Sequence, residues 1–227
     1  MTPAVFKMPL AAAMAFTTMV ALTPQPTPGI KSGAETIAAA AGKAIYFQYP
    51  LPSWDPHCLG FGSEWRYCDG TVLRRCAATG AVWLHTAVDI KTAIQPVMAA
   101  ANGVIIGYIV DPQFRGGVLI RHETTNGIVI TQYWHVWPRD GYRVGTAVRK
   151  GEVFGDIADM GSRTHFHFAV FTGDYEANAW RGALPPARCE GFPAFPSRIV
   201  NATDYVQARL QPEPQKIVHH CRLDPQL

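Results

Sequence analysis

The chain has 227 residues and a formal net charge of +3, from 20 Lys and Arg against 17 Asp and Glu. Hydrophobic residues make up 48% of the chain and charged residues only 16%, a balance that excludes disorder along its whole length. The weak positive charge forms no dense basic stripe, so we expect no nucleic-acid partner. Length and composition together predict one folded domain with extensions.

The chain begins with an apolar stretch at residues 9–22, which follows Lys7 and precedes a segment rich in Pro and Thr. This order is typical of a secretory signal peptide, so we interpret residues 1–41 as a signal peptide and linker. The small-residue pattern before a cleavage point is weak, which leaves an uncleaved membrane anchor as the alternative. Beyond residue 22 no apolar run approaches the roughly 18 residues that a membrane helix needs. We therefore expect an exported protein, located in the periplasm or outside the cell.

Five cysteines suit an oxidising compartment: Cys58, Cys68, Cys76, Cys189 and Cys221. The odd number leaves one unpaired, and the pairing cannot be deduced from sequence. Loop-closure entropy favours one local bond among the first three and a second bond between the last two. The first three lie in residues 42–80, an aromatic and Gly-rich segment that we interpret as an N-terminal extension resting on a larger domain.

Residues 81–173 contain short β-branched runs separated by turn signals, which predict a mainly antiparallel β domain, a sheet or sandwich. The expected strands span residues 103–110, 118–122, 128–136, 152–157 and 165–171. Asn126 and Gly127 predict a hairpin between the second and third of these. No long amphipathic helix and no Gly-rich phosphate loop appears, which excludes a doubly wound nucleotide-binding fold. Residues 174–227 form a Pro-rich C-terminal extension with one short helix, expected at 203–210 after a polar capping residue.

Two segments of the β domain carry metal-binding residue types. His85 and Asp89 are four residues apart, a spacing that places both side chains on one face of either a helix or a strand. His165 and His167 share one face of a strand, while Phe166 lies on the other. Two His nitrogens and one carboxylate oxygen make a three-ligand zinc site that leaves the fourth position for water, the catalytic pattern. The predicted chemistry is hydrolysis of an amide or ester.

A third segment ends with His135, which we expect to stand over the metal. Strand alternation predicts that His135 shares a face with Tyr133 and that Trp134 and Val136 lie on the opposite face.

These residues occur in segments that resemble the motifs of the lysostaphin/LytM-type zinc endopeptidases, in the same order. The segments are HTAVDI, ANGVI, QYWHV and THFHF, with YRVGTAVRKGEVFGDI linking the last two. The resemblance covers about residues 81–171. It implies an antiparallel β fold with one zinc ion in a groove and a substrate among the stem peptides or cross-links of peptidoglycan. We expect a monomer.

The resemblance also implies a role for each site residue. His85, Asp89 and His167 would bind the zinc ion. His165 would act as general base or proton shuttle, and His135 would orient the attacking water or stabilise the oxyanion.

The sequence departs from the family pattern at a few points. Ala87 replaces a glycine, and residues 161–164 form a shorter loop than usual, which bears on substrate preference. Four aromatic residues of the N-terminal extension could line or block the groove: Tyr46, Phe47, Tyr49 and Trp54.

Three functional hypotheses stay open at this point. The first is the peptidoglycan endopeptidase, and the presence of all three implied ligands favours it. The second is a catalytically silent relative that binds cell-wall material or activates a partner hydrolase. The third is a secreted peptidase with a protein substrate.

The other polar candidates receive structural interpretations. We expect His122 to face solvent or the sheet, and His57, His219 and His220 to lie at the surface. Arg163 is expected in an exposed loop, where it could pair with a substrate carboxylate.

Overall fold

The computed structural model describes residues 42–55, 59–64, 66, 71–72, 80, 82–112, 115–174 and 198–212. All five cysteines, three histidines (His57, His219 and His220) and the apolar stretch at residues 9–22 lie outside these ranges. The expectations about disulfides and the signal peptide therefore stay predictions. Within the described ranges, no helix combines the length and the apolar character needed to cross a membrane.

The described residues form a mainly antiparallel β fold, which confirms the predicted fold class. The ten strands are β1 (Val88–Lys91), β2 (Pro96–Met98), β3 (Gly103–Asp111), β4 (Arg115–Thr124), β5 (Gly127–Trp134), β6 (Val136–Pro138), β7 (Ala147–Val148), β8 (Val153–Ile157), β9 (His165–Thr172) and β10 (Ile199–Val200). A 3-10 turn spans Gly161–Arg163, and one helix, α1, spans Ala202–Gln207.

The strands form two sheets. The large sheet has the order β1-β9-β5-β4-β3-β7, and β10 also pairs with β9, beyond the end of β1. The small sheet has the order β2-β8-β6. The predicted hairpin is confirmed as β4 and β5, with Thr125 and Asn126 in the turn. Gly127, the first residue of β5, has a φ of +107° that suits glycine.

All five predicted strands are present, with shifted ends. The third ends at Trp134 instead of residue 136, because the chain bends at His135. The predicted helix at 203–210 is found at Ala202–Gln207, and the Asn201 side chain caps it by accepting a hydrogen bond from the Thr203 N–H at 3.0 Å. Sequence alternation did not indicate β1, β2, β7 or β10, which have only two to four residues each.

The main core lies where the two sheets meet. Tyr133, Phe166 and Phe168 of the large sheet are fully buried there, and the Tyr133 ring lies 4.9 Å from the ring of Phe154 on the small sheet. Since Phe166 and Phe168 alternate with His165 and His167, the histidines of β9 lie on the other face of the large sheet.

The aromatic residues of the N-terminal extension also pack on the core face. Trp54 lies 5.7 Å from Phe168, ring to ring, and Tyr49 stacks on Trp54 at 4.8 Å. Phe47 is buried against Tyr205 of α1. The expectation that these three residues line or block the groove is therefore wrong: burial of their large apolar rings holds them on the side of the sheet opposite the histidines.

Candidate metal centre

Three of the predicted site residues converge at the edge of the large sheet. Asp89 of β1 lies directly opposite His167 of β9, and His85 stands in the segment that leads into β1. His85 Nε2 is 3.2 Å from His167 Nδ1 and 3.2 Å from Asp89 Oδ1. The distance from His167 Nδ1 to Asp89 Oδ1 is 2.9 Å. All three residues are buried, and together they form a cluster with the geometry to hold a metal ion.

The spacing of these atoms fits zinc. Ligands about 2.0–2.1 Å from a tetrahedral zinc ion lie roughly 3.3 Å from one another, close to the separations found here. Asp89 Oδ1 is also buried without a hydrogen bond of standard geometry, although two ring nitrogens stand beside it. An acceptor in that position suits coordination of a cation shared with the two nitrogens.

The electrostatics of the cluster agree with this arrangement. Burial raises the pKa of the Asp89 carboxyl, but the imidazoles of His85 and His167 hold that pKa well below its ordinary value. Burial lowers the pKa of His167 to about 4, against the opposing effect of Asp89. At neutral pH the cluster thus contains a carboxylate and a neutral His167 imidazole, the protonation states that bind a metal.

Residues 60–63 of the N-terminal extension hydrogen-bond to His85 through its Nδ1 and its backbone. His85 Nδ1 lies 3.2 Å from the Gly60 carbonyl, so a proton on Nδ1 leaves Nε2 unprotonated on the side of the cluster. The His85 N–H donates to the Ser63 carbonyl at 2.7 Å, and the Gly62 N–H donates to the His85 carbonyl at 2.8 Å. This support could not be predicted from sequence, because a backbone carbonyl has no residue-type signal.

The same segment continues beside β1. The Asp89 N–H donates to the Leu59 carbonyl at 2.9 Å, and the two residues form an antiparallel bridge. Residues 59–63 therefore contact both His85 and Asp89, in contrast to the aromatic part of the extension on the core face.

His165 stands next to the cluster without joining it. Its Nδ1 is 2.6 Å from the Arg163 carbonyl, and its Nε2 is 3.6 Å from Asp89 Oδ2. With a proton on Nδ1 donated to that carbonyl, Nε2 is left as a proton acceptor. The side chain is 15% exposed, so water can reach it.

His135 reaches the site by a route that strand alternation did not predict. Its backbone is left-handed, with a φ of +61°, at the bend between β5 and β6. The ring lies 4.3 Å from that of His165 and 6.1 Å from that of His167. The expectation that His135 shares a face with Tyr133 is wrong, because the left-handed residue reverses the alternation: Val136 joins Tyr133 in the core instead of lying opposite it.

His122 and Arg163 stand outside the cluster. His122 is fully buried on the core face, where its ring nitrogens lie 2.8 Å from the Asn102 carbonyl and 2.7 Å from Thr131 Oγ1, so it does not face solvent. Arg163 contacts the site through its carbonyl on His165.

Part of the chain that contains this cluster matches the model of a known protein family. Residues 84–179 match the model of Peptidase family M23, and all five predicted site residues fall inside this range. No curated protein matches the chain.

Several solved structures are similar to parts of this chain. A zinc-containing peptidase from Vibrio cholerae is 22% identical, with a TM-score of 0.39 over 56% of this chain and 37% of that one. Csd3 from Helicobacter pylori is 19% identical, with a TM-score of 0.41 over 56% of this chain and 32% of that one. Lysostaphin from Staphylococcus simulans is 17% identical, with a TM-score of 0.47 over 78% of this chain and 60% of that one. This chain spans about a third of the length of the first two proteins.

Proposed function

We propose that this chain is an exported zinc metalloendopeptidase, because residues 84–179 match the model of Peptidase family M23 and the motifs resemble those of the lysostaphin/LytM-type peptidases. Its substrate would be a peptide bond in the stem peptides or cross-links of peptidoglycan. The observation that carries this proposal is the convergence of His85, Asp89 and His167 within 3.2 Å, with His165 beside them. A purely structural zinc site has four protein ligands, whereas the residues that the structure describes offer three here.

His85 Nε2, His167 Nδ1 and Asp89 Oδ1 would hold the zinc ion. When bound, zinc lowers the pKa of water and polarises a carbonyl group. His165 Nε2 would accept a proton from the attacking water and later donate it to the amine released when the C–N bond breaks. The Arg163 carbonyl would keep the His165 ring in the tautomer that this step needs. His135 would orient the water or donate to the developing oxyanion.

Export is supported by the apolar stretch at residues 9–22 and by the five cysteines. Protein from an exporting host would carry the processed N-terminus, which N-terminal sequencing would locate. Retention of residues 9–22 in the membrane fraction would indicate the uncleaved anchor instead.

Zinc content and peptidoglycan digestion, measured together on the purified protein, test the enzymatic proposal. We expect about one zinc ion per chain and release of peptide-linked fragments, lost with a chelator and restored by zinc. The His165→Ala variant should keep the zinc ion and lose roughly 10²–10⁴-fold in rate, because only the proton acceptor is removed.

Two results would contradict the proposal in different ways. Bound zinc with no cleavage of peptidoglycan or of Gly-rich protein would favour the silent, cell-wall-binding relative. Full turnover by His165→Ala would overturn the assignment of His165 as the base. The assignment of the zinc ligands would not be affected.

A further inference from the structure

Lys91 lies on the same face of β1 as Asp89. It is the last residue of the strand and stands two positions after Asp89, so strand alternation directs both side chains to one side of the sheet. Across the strand pair, Lys91 lies directly opposite His165, just as Asp89 lies opposite His167. Cross-strand neighbours of this kind have Cβ atoms about 4.5–5.5 Å apart. A lysine is thus the cross-strand partner of the proposed general base.

Lys91 also borders a groove of about 470 Å³. One wall is formed by residues 91–94 and the other by Gly161, Ser162 and Thr164. The Lys91 ammonium donates a hydrogen bond to the Ser162 carbonyl at 2.6 Å, which holds it between the two walls. Ile94, 56% exposed, adds an apolar surface to the same groove.

The ammonium keeps its charge available in this position. An ammonium has three N–H donors, and the Ser162 carbonyl accepts one of them. Among the residues that the structure describes, no carboxylate forms an ion pair with Lys91. The groove next to His165 therefore carries a positive charge that the described residues do not neutralise.

We propose that Lys91 forms a subsite for a carboxylate of the peptide substrate, carried on a short aliphatic stem that contacts Ile94. This inference rests on the proposed peptidase function. Asp89 and Lys91 are two strand residues apart, about 7 Å, so the carboxylate would lie about two residues of extended peptide from the bond that is cut. Lys91 thus acts in substrate selection and takes no part in the proton transfer.

Binding of two matched peptides tests this subsite without requiring turnover. The peptides are a cross-linked pair of peptidoglycan stem peptides with free carboxylates and the same peptide with its carboxylates amidated. Both are titrated by calorimetry into zinc-loaded protein carrying His165→Ala, in which cleavage should be slowed. We expect this protein to prefer the free-carboxylate peptide by about tenfold or more, since a hydrogen bond to a charged group is being compared with its loss.

Three further variants identify the source of the preference. Lys91→Met keeps an unbranched apolar side chain and should abolish the preference, whereas Lys91→Arg should retain it. Lys150→Met is the matched control, because Lys150 follows β7 at the opposite edge of the large sheet and donates to Gln211 Oε1. Lys150→Met should leave the preference unchanged.

Two outcomes overturn the subsite: an equal affinity of the unsubstituted Lys91 protein for both peptides, or a preference that survives Lys91→Met. Failure of the proposed function looks different, as protein with His165 intact would then cleave neither peptide, whatever the binding preference.

Discussion

The two faces of β9 have different roles, one in the candidate metal site and one in the apolar core. On one face His165 and His167 meet Asp89 and His135 around the proposed zinc position. On the other face Phe166 and Phe168 are fully buried in the core. Because residues alternate along the strand, the apolar packing and the proposed metal ligands lie on opposite sides of it. Substitutions of neighbouring residues on β9 should therefore change unfolding free energy and zinc binding separately.

The largest effect is expected from the site face. His167→Ala removes a proposed ligand whose side chain is 8% exposed, so the loss should cost more than about a hundredfold in zinc affinity and abolish digestion. The variant should still fold, because His167 lies outside the apolar core. Zinc competition with a fluorescent chelator, alongside circular dichroism, measures both quantities. Full zinc and full turnover in a folded variant would overturn the ligand assignment.

A substitution on the core face should lower stability and leave zinc binding intact. Phe168→Ala removes a buried ring that contacts Trp54 and Tyr133, and the cavity should cost about 3–5 kcal/mol of unfolding free energy. Molecules that remain folded should still bind one zinc ion each. Urea unfolding and zinc content at low denaturant check the two halves of this prediction. A destabilised variant that had also lost its zinc affinity would show that the faces are not separable.

A buried histidine on the core face should make stability depend on pH. His122, on the core face, is buried and has a pKa of about 4, below the 6.5 expected for the unfolded chain. The unfolded state then binds more protons between these values, so stability should be complete above about pH 6.5 and fall as the pH drops towards 4. The loss from this residue between pH 7 and 4.5 should be about 2–3 kcal/mol.

Urea unfolding across this pH range, compared with His122→Gln, isolates the contribution of His122. The glutamine cannot take up a proton, so its stability curve should be flatter over the same interval. Parallel curves for the two proteins would exclude His122 as the source of the acid sensitivity.

The smallest effect is expected from a substitution in residues 59–63, which contact His85. Gly62 has a φ of +78° with no atom near an added Cβ, and Gly127 has a φ of +107° in equally open space. Valine should strain either turn to a similar extent, because β-branched residues disfavour positive φ. Only Gly62→Val should also weaken zinc binding, by about tenfold to a hundredfold, since it displaces the Gly60 carbonyl from His85. Equal zinc affinities in the two variants would assign residues 59–63 no part in the site.

The long strands and the grouping of His85, Asp89 and His167 could be predicted from sequence, and the reasons are local. β3, β4, β5 and β9 are runs of β-branched and aromatic residues between turn signals. The spacing of His85 and Asp89 places both side chains on one face of a helix or of a strand, so errors in strand ends did not affect their grouping.

The remaining features depend on contacts between distant parts of the chain. Strands as short as β7 and β10 form only because a neighbouring strand pairs with them. The position of His135 required a left-handed non-glycine residue, which no local pattern indicated. Phe47 and Trp54 read as candidates for the groove because sequence does not show which face of a sheet an extension covers. Lys91 could have been predicted as a neighbour of the site, because strand alternation places it on the same face as Asp89.

The proposed metal centre is a zinc ion held by two imidazoles and one carboxylate, with no thiolate. X-ray absorption at the zinc edge of the purified protein tests it most directly, because the chain also contains five cysteines. We expect a single shell of nitrogen and oxygen atoms at about 2.0–2.1 Å, with the outer-shell scattering of two imidazole rings. A sulfur shell at about 2.3 Å would contradict it and move the metal to the cysteines.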